Sequence, residues 1–325
     1  MVIYVIGLGS MGKRRTRLLL ERENIEVIGV DSREDRREEA SKLHGIKAFA
    51  SIEEAKAYKK GDCAFVCTAP LSHAGVIESC LKNDLNVFTE LNLVDDKYEE
   101  NQLLAKERGL TLFLSSTFLY RSEIKYITEK VKENDGKVNY IYHAGQYLPD
   151  WHPWENFKDF FVGDKRTNGC REFLGIEMPW IVKCFGEIEN VSVLNGNLSS
   201  LKVDFPDYYM IQIVHKNGAK GMFAVDVVSR KPTRHLEVFG DKLFLTWDGT
   251  PNSLFTYDID KHENVCVDMG EYEHDSRYAA FVVENQYRVE MDDFFATLSD
   301  RSHSPLWSFA KDKEVLKIID KIEGK

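Results

Sequence analysis

The sequence lacks long apolar runs and has no excess of basic charge. No apolar run reaches about 18 residues, the length with which a helix crosses a membrane. The chain carries 43 basic and 53 acidic residues, which gives a net charge of −10. An acidic chain without a basic tract has little electrostatic attraction for a phosphate backbone. We therefore expect no membrane and no nucleic acid among its partners.

Cysteine pairs with metal-ligand spacing are also absent. The six cysteines form no C-x-x-C pair, and two of them, Cys63 and Cys67, lie in an apolar run that is typical of a buried strand. We predict reduced, mostly buried thiols, no metal site and a cytoplasmic protein. An apolar strand pattern begins at residue 2, so we expect no signal peptide.

Internal repeats, low-complexity tracts and flexible linkers are lacking as well, although 325 residues are enough for about two domains. Strand-like and helix-like runs alternate up to residue 118. This alternation predicts an α/β fold with a doubly wound parallel sheet, whose ligands bind at the carboxyl ends of the strands. We predict an N-terminal domain at 1–118 and a second domain at 119–325, with a tight boundary.

The pattern of the second domain is different. Several β-patterned runs lie between residues 189 and 266, and turn residues such as Asn217-Gly218 separate them. These runs predict an open, largely antiparallel sheet. Helix-like segments at 122–133, 173–185, 279–298 and 309–323 complete the domain, which we therefore predict to be α+β.

What is present at the start of the chain is a glycine-rich turn. An apolar, β-branched run at 2–6 is followed by Gly7, Gly9 and Gly12, and a helix-like segment covers 10–23. The first glycine suits a tight turn, the second lets a pyrophosphate approach the backbone, and the third lets the helix pack closely on the strand. The helix N-terminus favours negative charge. The turn therefore predicts a dinucleotide site.

An acidic residue follows at the distance expected for such a site. A second strand-like run at 25–30 ends in Asp31, which lies 19 residues after Gly12 and can accept hydrogen bonds from ribose hydroxyls. This carboxylate predicts NAD, because it would repel the 2′-phosphate of NADP. Three arginines could rescue NADP, but among their acidic neighbours we interpret them as a solvated helix face. They are Arg33, Arg36 and Arg37.

Further polar residues stand where strands of the first domain end. We assign cofactor binding to them together with the turn, the first helical turn and the acid. The set is Gly7, Gly9, Ser10, Met11, Gly12, Asp31, Thr68, Pro70, His73 and Glu90. For His73 the alternative is an ordinary polar residue at a helix start.

Taken together, these motifs resemble the glucose–fructose oxidoreductase / inositol dehydrogenase (Gfo/Idh/MocA) family over nearly the whole chain. The resemblance rests on 7–12, on Thr68-Ala69-Pro70 with His73, on Val87-Phe88-Thr89-Glu90, on Tyr120-Arg121, and on Tyr287, Glu290 and Phe294. It implies a Rossmann domain, a second α/β domain whose sheet packs against its mate in a homodimer or homotetramer, and hydride transfer between NAD(P) and a sugar or polyol carbon. The stretch 147–155 looks like a subgroup that acts on nucleotide-linked or polysaccharide sugars.

The residues that the resemblance would make catalytic are altered. The family has a lysine in Glu-Lys-Pro, and Leu91 stands at that lysine. The family aspartate and histidine of the second domain align with Glu172 and Ile176, while a shift of one residue would place Glu177 at the histidine. Neither Leu91 nor Ile176 can transfer a proton. A glutamate can do so if burial raises its pKa.

The remaining candidates lie in the second domain. As catalytic residues we predict His152, Glu172 and Glu177, and as substrate contacts Tyr147, Asp150, Trp151, Trp154 and Arg121. His152 lies between two tryptophans that could stack on sugar faces. The alternative is a packed loop that anchors the domain, or an ordinary strand end. Because the two glutamates are five residues apart, they share one helix face poorly, and one of them could be structural.

Three functions remain open. The first is an NAD(P)-dependent oxidoreductase that acts on a sugar, polyol or nucleotide-sugar derivative with an atypical acid–base set. The second is a regulatory protein that binds NAD(H) without redox catalysis. The third is a lyase or hydrolase that uses NAD transiently.

Overall fold

The computed structural model describes residues 1–153, 155–273 and 283–325, in two compact units. Unit 1 comprises Met1–Ser115 and Met291–Lys311, and unit 2 comprises Ser116–Glu290 and Asp312–Lys325. The predicted substrate residue Trp154 and the beginning of the helix predicted at 279–298 lie outside the described residues. Within these residues, no helix is both long and apolar enough to cross a membrane.

Unit 1 contains a six-stranded parallel sheet. Its strands are β1 (Val2–Ile6), β2 (Glu26–Val30), β3 (Lys47–Phe49), β4 (Cys63–Val66), β5 (Asn86–Thr89) and β6 (Leu112–Leu114). The spatial order β3-β2-β1-β4-β5-β6 is that of a Rossmann fold. The central strands are apolar and buried, because helices cover both faces of a doubly wound sheet. The predicted doubly wound parallel sheet is confirmed.

Five helices connect these strands. They are α1 (Ser10–Leu20), α2 (Glu34–His44), α3 (Ile52–Tyr58), α4 (Pro70–Lys82) and α5 (Tyr98–Arg108). The sequence places the start of α3 correctly, because the Ser51 side chain caps it by accepting a hydrogen bond from the Glu54 N–H at 3.2 Å. The predicted helix at 10–23 is three residues shorter in the structure.

Residues 291–311 belong to unit 1, whereas the sequence predicts one continuous second domain from residue 119. The reason is apolar packing. The Phe294 ring stands edge-on to the rings of Phe65, Phe88 and Phe113, with centroid distances of 5.3 to 5.7 Å. Such edge-to-face contacts add to the hydrophobic gain from burial. A boundary placed by the change of pattern near residue 118 cannot detect a segment that returns this late in the chain.

Unit 2 contains an eight-stranded sheet with the order β14-β13-β12-β11-β7-β10-β9-β8. Its strands are β7 (Asn139–Gly145), β8 (Ile188–Gly196), β9 (Tyr208–His215), β10 (Lys220–Asp226), β11 (Thr233–Gly240), β12 (Leu243–Trp247), β13 (Phe255–Asp258) and β14 (Glu263–Cys266). Only the pair β7–β10 is parallel in the described sheet, so the prediction of a largely antiparallel sheet is confirmed.

Helices lie on one face of this sheet. They include α6 (Ser122–Glu133) and α7 (Gly169–Phe185), and α7 packs against β9 and β10. The chain closes with α8 (Asn285–Ser299) and α9 (Phe309–Glu323). The predicted start of α7 at residue 173 is four residues late, because the cap comes from Asn168, whose side chain accepts a hydrogen bond from the Arg171 N–H at 2.9 Å. The earlier start brings Glu172 into the first turn of α7.

Candidate functional site

The three glycines of the first turn have three different surroundings. Gly7 has φ +91°, and a Cβ on it would lie 2.7 Å from the carbonyl oxygen of Cys67. A Cβ on Gly12 would lie 1.8 Å from the carbonyl oxygen of Gly7. At Gly9, by contrast, the nearest atom to such a Cβ is Nη1 of Arg36, at 3.6 Å. The turn is therefore closed towards the protein and open at Gly9, which is the side that a pyrophosphate would approach.

The N-terminus of α1 fits an anion. Gly9 is its N-cap residue, and no side chain in the described part of the chain caps it. The first N–H groups of α1, from Ser10 and Met11, therefore point out of the turn with the positive end of the helix dipole behind them. Together with the open side of the turn at Gly9, these N–H groups suit the pyrophosphate of a dinucleotide.

Asp31 lies at the end of β2 beside the same turn. Its carboxylate accepts hydrogen bonds from the N–H groups of Leu8 at 2.8 Å and Arg33 at 2.9 Å. The Arg36 guanidinium stands 3.7 Å from the same carboxylate and also near Gly9. Arg33 pairs with Asp35, and Arg37 donates to backbone carbonyls. Among the three arginines, Arg36 is therefore the one whose guanidinium lies near both the Asp31 carboxylate and Gly9.

Glu90 is held in a buried ion pair at the end of β5. The Nε of Arg15 donates to its Oε1 at 2.6 Å, and Arg15 also stacks over the Phe88 ring at 4.6 Å. Burial, and then the nearby Glu90 charge, raise the pKa of the Cys67 thiol well above its usual value, so this thiol stays protonated. The binding of cofactor by Glu90 stays a prediction.

His73 is buried at the first turn of α4. Its Nε2 lies 2.8 Å from the carbonyl oxygen of Thr68, and its Nδ1 lies 2.6 Å from the amide of Asn92. Burial lowers the pKa of His73 and so favours the neutral ring. Both ring nitrogens therefore face oxygen acceptors, the Thr68 carbonyl and Oδ1 of Asn92, and a neutral ring can donate to one of them. His73 thus ties the predicted cofactor residues 68–70 to the residue that follows Leu91.

In unit 2 the predicted substrate loop packs against the start of α7. A Cβ on Gly169 would lie 2.9 Å from Leu148, so this glycine permits the close approach. The Trp151 ring stands edge-on to Phe173 at 5.1 Å, and its Nε1 donates to the carbonyl of Gln146. The guanidinium carbon of Arg230 lies over the Tyr147 ring, 3.6 Å from the ring centroid, in a cation–π contact. The loop thus presents aromatic rings, and the roles of Tyr147, Asp150 and Trp151 in substrate binding stay predictions.

His152 is held by its own loop. Its Nδ1 lies 2.5 Å from a carboxylate oxygen of Glu155, and its ring stands 4.4 Å from that of Phe160. A carboxylate partner of this kind orients an imidazole. Its catalytic role stays a prediction.

Glu172 is a carboxyl group with no partner for one oxygen. Its Oε2 is buried and makes no hydrogen bond in the described part of the chain. Burial raises the pKa of Glu172 to about 8, and the positive charge of Arg234 offsets part of this rise. A carboxyl group that titrates near neutral pH can give or take a proton under working conditions. Of the groups predicted to be catalytic, Glu172 is the one whose described surroundings suit acid–base chemistry.

Glu177 has the opposite environment. Its Oε2 accepts hydrogen bonds from Tyr142 Oη and Trp180 Nε1, both at 2.7 Å, and its Oε1 accepts from Arg234 Nε at 2.8 Å. These three donors satisfy the carboxylate in the interior of unit 2. The sequence interpretation, in which the two glutamates do not share a face, therefore corresponds to two different environments.

Arg121 is buried as well. Its guanidinium pairs with Glu123 at 2.7 Å, donates to the carbonyl of Gly249 at 2.9 Å, and lies 4.7 Å from the Trp247 ring. These contacts fasten the start of α6 to the sheet. Its contact with substrate stays a prediction.

Sequence reasoning missed three arginines of the site: Arg15, Arg230 and Arg234. None belongs to a motif, and each acquires its partner from a distant part of the chain. Arg234 is a basic residue inside an apolar alternating run of β11, and Arg15 interrupts the inner face of α1. The sequence could have revealed such residues by one feature, a charged residue on the otherwise apolar face of a helix or strand. A buried arginine is almost always paired, so such a position predicts an ion-pair partner.

Comparison with known proteins supports the sequence resemblance. Residues 1–115 match the family model GFO_IDH_MocA, described as an oxidoreductase family with an NAD-binding Rossmann fold. The resemblance to the Gfo/Idh/MocA family is thereby confirmed for residues 1–115. A comparison with curated protein sequences finds no match.

Solved structures share the fold over the whole chain. UDP-N-acetylglucosamine 3-dehydrogenase GnnA from Acidithiobacillus ferrooxidans is 16% identical, with a TM-score of 0.76 over 100% of this chain and 97% of that chain. An oxidoreductase from Agrobacterium radiobacter, in complex with NAD+, L-tartaric acid and magnesium, is 11% identical, with a TM-score of 0.77 over 100% and 96%. Biliverdin reductase from Synechocystis sp. PCC 6803, in complex with biliverdin and NADP+, is 14% identical, with a TM-score of 0.72 over 99% and 97%. At these identities the likeness extends to the fold alone.

Proposed function

We propose that this chain, whose first 115 residues match the Gfo/Idh/MocA family model, is an NAD(P)-dependent oxidoreductase in which Glu172 exchanges the substrate proton. The observation that carries the proposal is the buried Oε2 of Glu172, which has no partner in the described residues, together with a pKa raised to about 8 by burial. Acid–base chemistry of this kind contributes roughly 10²–10⁴-fold to a rate.

Different residues would bind the cofactor and exchange the proton. Gly9, Ser10 and Met11 would hold the pyrophosphate of the dinucleotide, and Asp31 its ribose. A bound nicotinamide dinucleotide would accept or supply the hydride. In alcohol oxidation the ionised Glu172 takes the hydroxyl proton as the carbon loses hydride, so the substrate becomes a carbonyl compound. In the reverse direction the protonated Glu172 returns that proton to the carbonyl oxygen.

For the substrate we propose a sugar, polyol or nucleotide-linked sugar. The support is the aromatic surface of the loop at Tyr147 and Trp151, since such rings pack against the C–H faces of sugars. The structural likeness to a UDP-N-acetylglucosamine 3-dehydrogenase points the same way. Other proteins of this fold are described with L-tartaric acid or biliverdin, so both compounds belong in the test panel.

The test is a panel assay. The purified chain is incubated with each dinucleotide and with sugars, polyols, nucleotide sugars, tartrate and biliverdin, and NAD(P)H absorbance is followed. We expect turnover with a sugar-type compound, and a rate that is about 10²–10⁴-fold lower after Glu172→Gln. Tight cofactor binding without turnover anywhere in the panel would favour the second candidate function, an NAD(H)-binding regulatory protein, which Leu91 motivates because a leucine cannot transfer a proton.

We further propose that NAD is preferred over NADP because the Asp31 carboxylate repels a 2′-phosphate. Arg36, 3.7 Å from that carboxylate, would then limit the preference. We expect Asp31→Asn to shift the ratio of the two dissociation constants by at least about tenfold towards NADP, since a freed guanidinium binds phosphate well. Calorimetric titration with both cofactors measures the ratio.

Arg33→Gln is the matched control and should leave the ratio unchanged, because Arg33 pairs with Asp35. A wild type that binds NADP more tightly would contradict the proposal.

The outer face of the unit 2 sheet supports a homodimer or a homotetramer built from such dimers. Met222 and Ile141 are register partners on β10 and β7, and Met210 lies on the neighbouring β9. Their exposed fractions are 55%, 43% and 51%, so an apolar stripe crosses three central strands. Contiguous apolar patches of this kind mark interfaces, and a symmetric dimer pairs the same patch on both copies.

Met222→Glu should therefore convert the oligomer to a monomer, because dimerisation would bury two unpaired charges. Light scattering after gel filtration measures the mass. Leu103→Glu on α5 is the matched control, since Leu103 is 56% exposed and lies outside the stripe, in unit 1. A monomeric wild type, or an equal effect of both variants, would contradict the proposal.

A further inference from the structure

Two loops of unit 2 run side by side beyond the ends of parallel strands. One follows β7, and the other follows β10. The Gln146 N–H donates to the carbonyl of Asp226 at 3.3 Å, and the Leu148 N–H donates to the carbonyl of Val227 at 2.9 Å. Leu148 and Val227 are both buried, which anchors the two loops in the core. The loops therefore form one fixed surface.

The carboxylate of Asp226 fixes the second loop further. Its Oδ1 accepts hydrogen bonds from the N–H groups of Val228 at 2.9 Å and Ser229 at 2.7 Å, and its Oδ2 accepts one from the Ser229 hydroxyl at 2.9 Å. Side-chain acceptors of this kind hold a turn in one conformation. The next residue is Arg230, so its place on the loop is set by these hydrogen bonds.

The first turn of α7, which includes Glu172, packs on both loops. A Cβ on Gly169 would lie 2.9 Å from the side chain of Leu148 in one loop and 2.9 Å from that of Val227 in the other. A glycine at this position therefore permits the close approach of the helix to both loops. The two loops are thus attached to the part of unit 2 that carries the proposed acid–base group.

The Arg230 guanidinium has an aromatic partner and no acidic one in the described part of the chain. Its central carbon lies 3.6 Å from the centroid of the Tyr147 ring, which belongs to the first loop. Its N–H groups make no ion pair or hydrogen bond with a described residue. By contrast, Arg121, Arg171 and Arg234 of the same unit are each paired with a carboxylate. The charge and the donors of Arg230 are therefore available to a ligand.

The contact with Tyr147 leaves the polar edge of the Arg230 guanidinium open. At 3.6 Å the planar group lies flat against the ring, because an edge-on approach would bring a nitrogen too close to the ring carbons. Its five N–H groups point outwards in the plane, and the side chain is exposed. Lys231 is exposed as well and also lacks an ion pair among the described residues. The loop surface thus presents two adjacent positive charges in a chain whose net charge is −10.

We propose that Arg230 binds a phosphate group of the substrate, so that the substrate is a sugar that carries a phosphate or a diphosphate. A guanidinium donates two parallel hydrogen bonds to phosphate oxygens, whereas a neutral sugar or polyol offers it no opposite charge. Because Tyr147 and the hydrogen-bonded loops already order the side chain, binding loses little conformational entropy. This inference rests on the proposed function, since it places the anion in the substrate site to which Tyr147 is assigned.

The test measures ligand binding by the full chain, with NAD at saturation so that no phosphate compound occupies the dinucleotide site. UDP-N-acetylglucosamine, N-acetylglucosamine 1-phosphate and free N-acetylglucosamine are titrated by calorimetry at constant ionic strength. We expect the wild type to bind a phosphorylated compound at least about tenfold more tightly than the free sugar, the effect of a hydrogen bond to a charged group. The nucleotide sugar and the sugar phosphate separate the two sources of the anion.

Arg230→Gln should remove this preference and leave the affinity for the free sugar unchanged, because an amide carries no charge. Since Arg230 is exposed, its replacement does not disturb the core. Tyr147→Leu keeps the guanidinium but removes the ring that orients it, so we expect a partial loss of the preference. The matched control is Lys242→Gln in the turn between β11 and β12, which removes an exposed positive charge of unit 2 and should leave the preference unchanged.

The results separate this inference from the proposed function. A preference for phosphorylated sugars that Arg230→Gln abolishes and Lys242→Gln does not supports the phosphate subsite, even if the panel assay finds no turnover. A wild type that does not prefer a phosphorylated compound, or an unchanged preference in Arg230→Gln, overturns the subsite and leaves the oxidoreductase proposal in place. An equal loss in Lys242→Gln also overturns the subsite, because the effect would then come from net charge.

Discussion

Replacement of Glu172 by glutamine is expected to lower kcat/KM by about 10²–10⁴-fold, the usual contribution of a positioned acid–base group. The amide keeps the shape of the side chain and cannot exchange the proton. Dinucleotide affinity should stay unchanged, because the residues that would hold the cofactor belong to unit 1. Steady-state kinetics and calorimetric titration measure the two quantities separately.

Glu187→Gln is the matched control for this substitution. Glu187 is an exposed glutamate of unit 2, and hydrogen bonding and ion pairing with Lys216 lower its pKa, so it carries no proton to donate near neutral pH. Its replacement should leave kcat/KM unchanged. Equal activity of Glu172→Gln and Glu187→Gln would remove Glu172 from the mechanism.

The rates of the two reaction directions should depend on pH with opposite signs. Burial raises the pKa of Glu172 to about 8. Reduction of a carbonyl needs the protonated acid, so its rate should fall as pH rises through about 8. Oxidation of an alcohol needs the carboxylate, so its rate should rise over the same range. Both dependences should disappear from the residual activity of Glu172→Gln.

The same group makes stability depend on pH. Because the folded state holds the proton of Glu172 more tightly than the unfolded state, its contribution to stability is present at acid pH. It is lost as pH rises from the ordinary glutamate pKa to about 8. Glu172→Gln should therefore unfold at a higher temperature than the wild type at alkaline pH, with a smaller difference at acid pH. Calorimetric scans at several pH values measure this difference without any substrate.

The Rossmann unit was the most predictable part of the chain. Strands 2–6 and 86–89 coincide with β1 and β5, because short apolar runs between turn residues leave little choice of register. The glycine turn is equally predictable from the sequence, since its spacing is specific and a Cβ on Gly7 or Gly12 would clash with backbone atoms. The pattern could not predict that residues 291–311 belong to unit 1, because this depends on the packing of Phe294 against three rings that are distant in the chain.

The candidate site was predictable only as residue types. A sequence names Glu172 and Glu177 with equal weight, because hydrophobic periodicity does not tell which carboxylate will have hydrogen-bond donors. The structure separates them: three donors meet Glu177, and one oxygen of Glu172 has none in the described residues. This difference depends on Arg234, which is 57 residues from Glu177 in the chain. The spacing of sequence motifs cannot predict a pair between residues so far apart in the chain.

Gly12→Ala tests the geometry of the cofactor turn. A Cβ at this position would lie 1.8 Å from the carbonyl oxygen of Gly7, which is backbone and cannot rotate away. The start of α1 must therefore move from β1, and we expect a loss of about 1–3 kcal/mol in the free energy of unfolding. Dinucleotide binding should weaken by at least about tenfold, the effect of losing one hydrogen bond to a charged group. Urea unfolding and calorimetric titration measure the two effects.

Gly75→Ala is the matched control, because Gly75 is also a helical glycine of unit 1 and a Cβ on it would meet nothing within 4 Å. Here alanine only reduces the freedom of the unfolded chain, so we expect stability to rise by about 0.4–1 kcal/mol and dinucleotide affinity to stay the same. The two substitutions add the same methyl group. Changes of opposite sign in the free energy of unfolding would therefore show that the effect of Gly12→Ala comes from the geometry of the glycine turn. Unchanged cofactor affinity in a folded Gly12→Ala would contradict binding at the N-terminus of α1. The dinucleotide assignment would then rest on the family match alone.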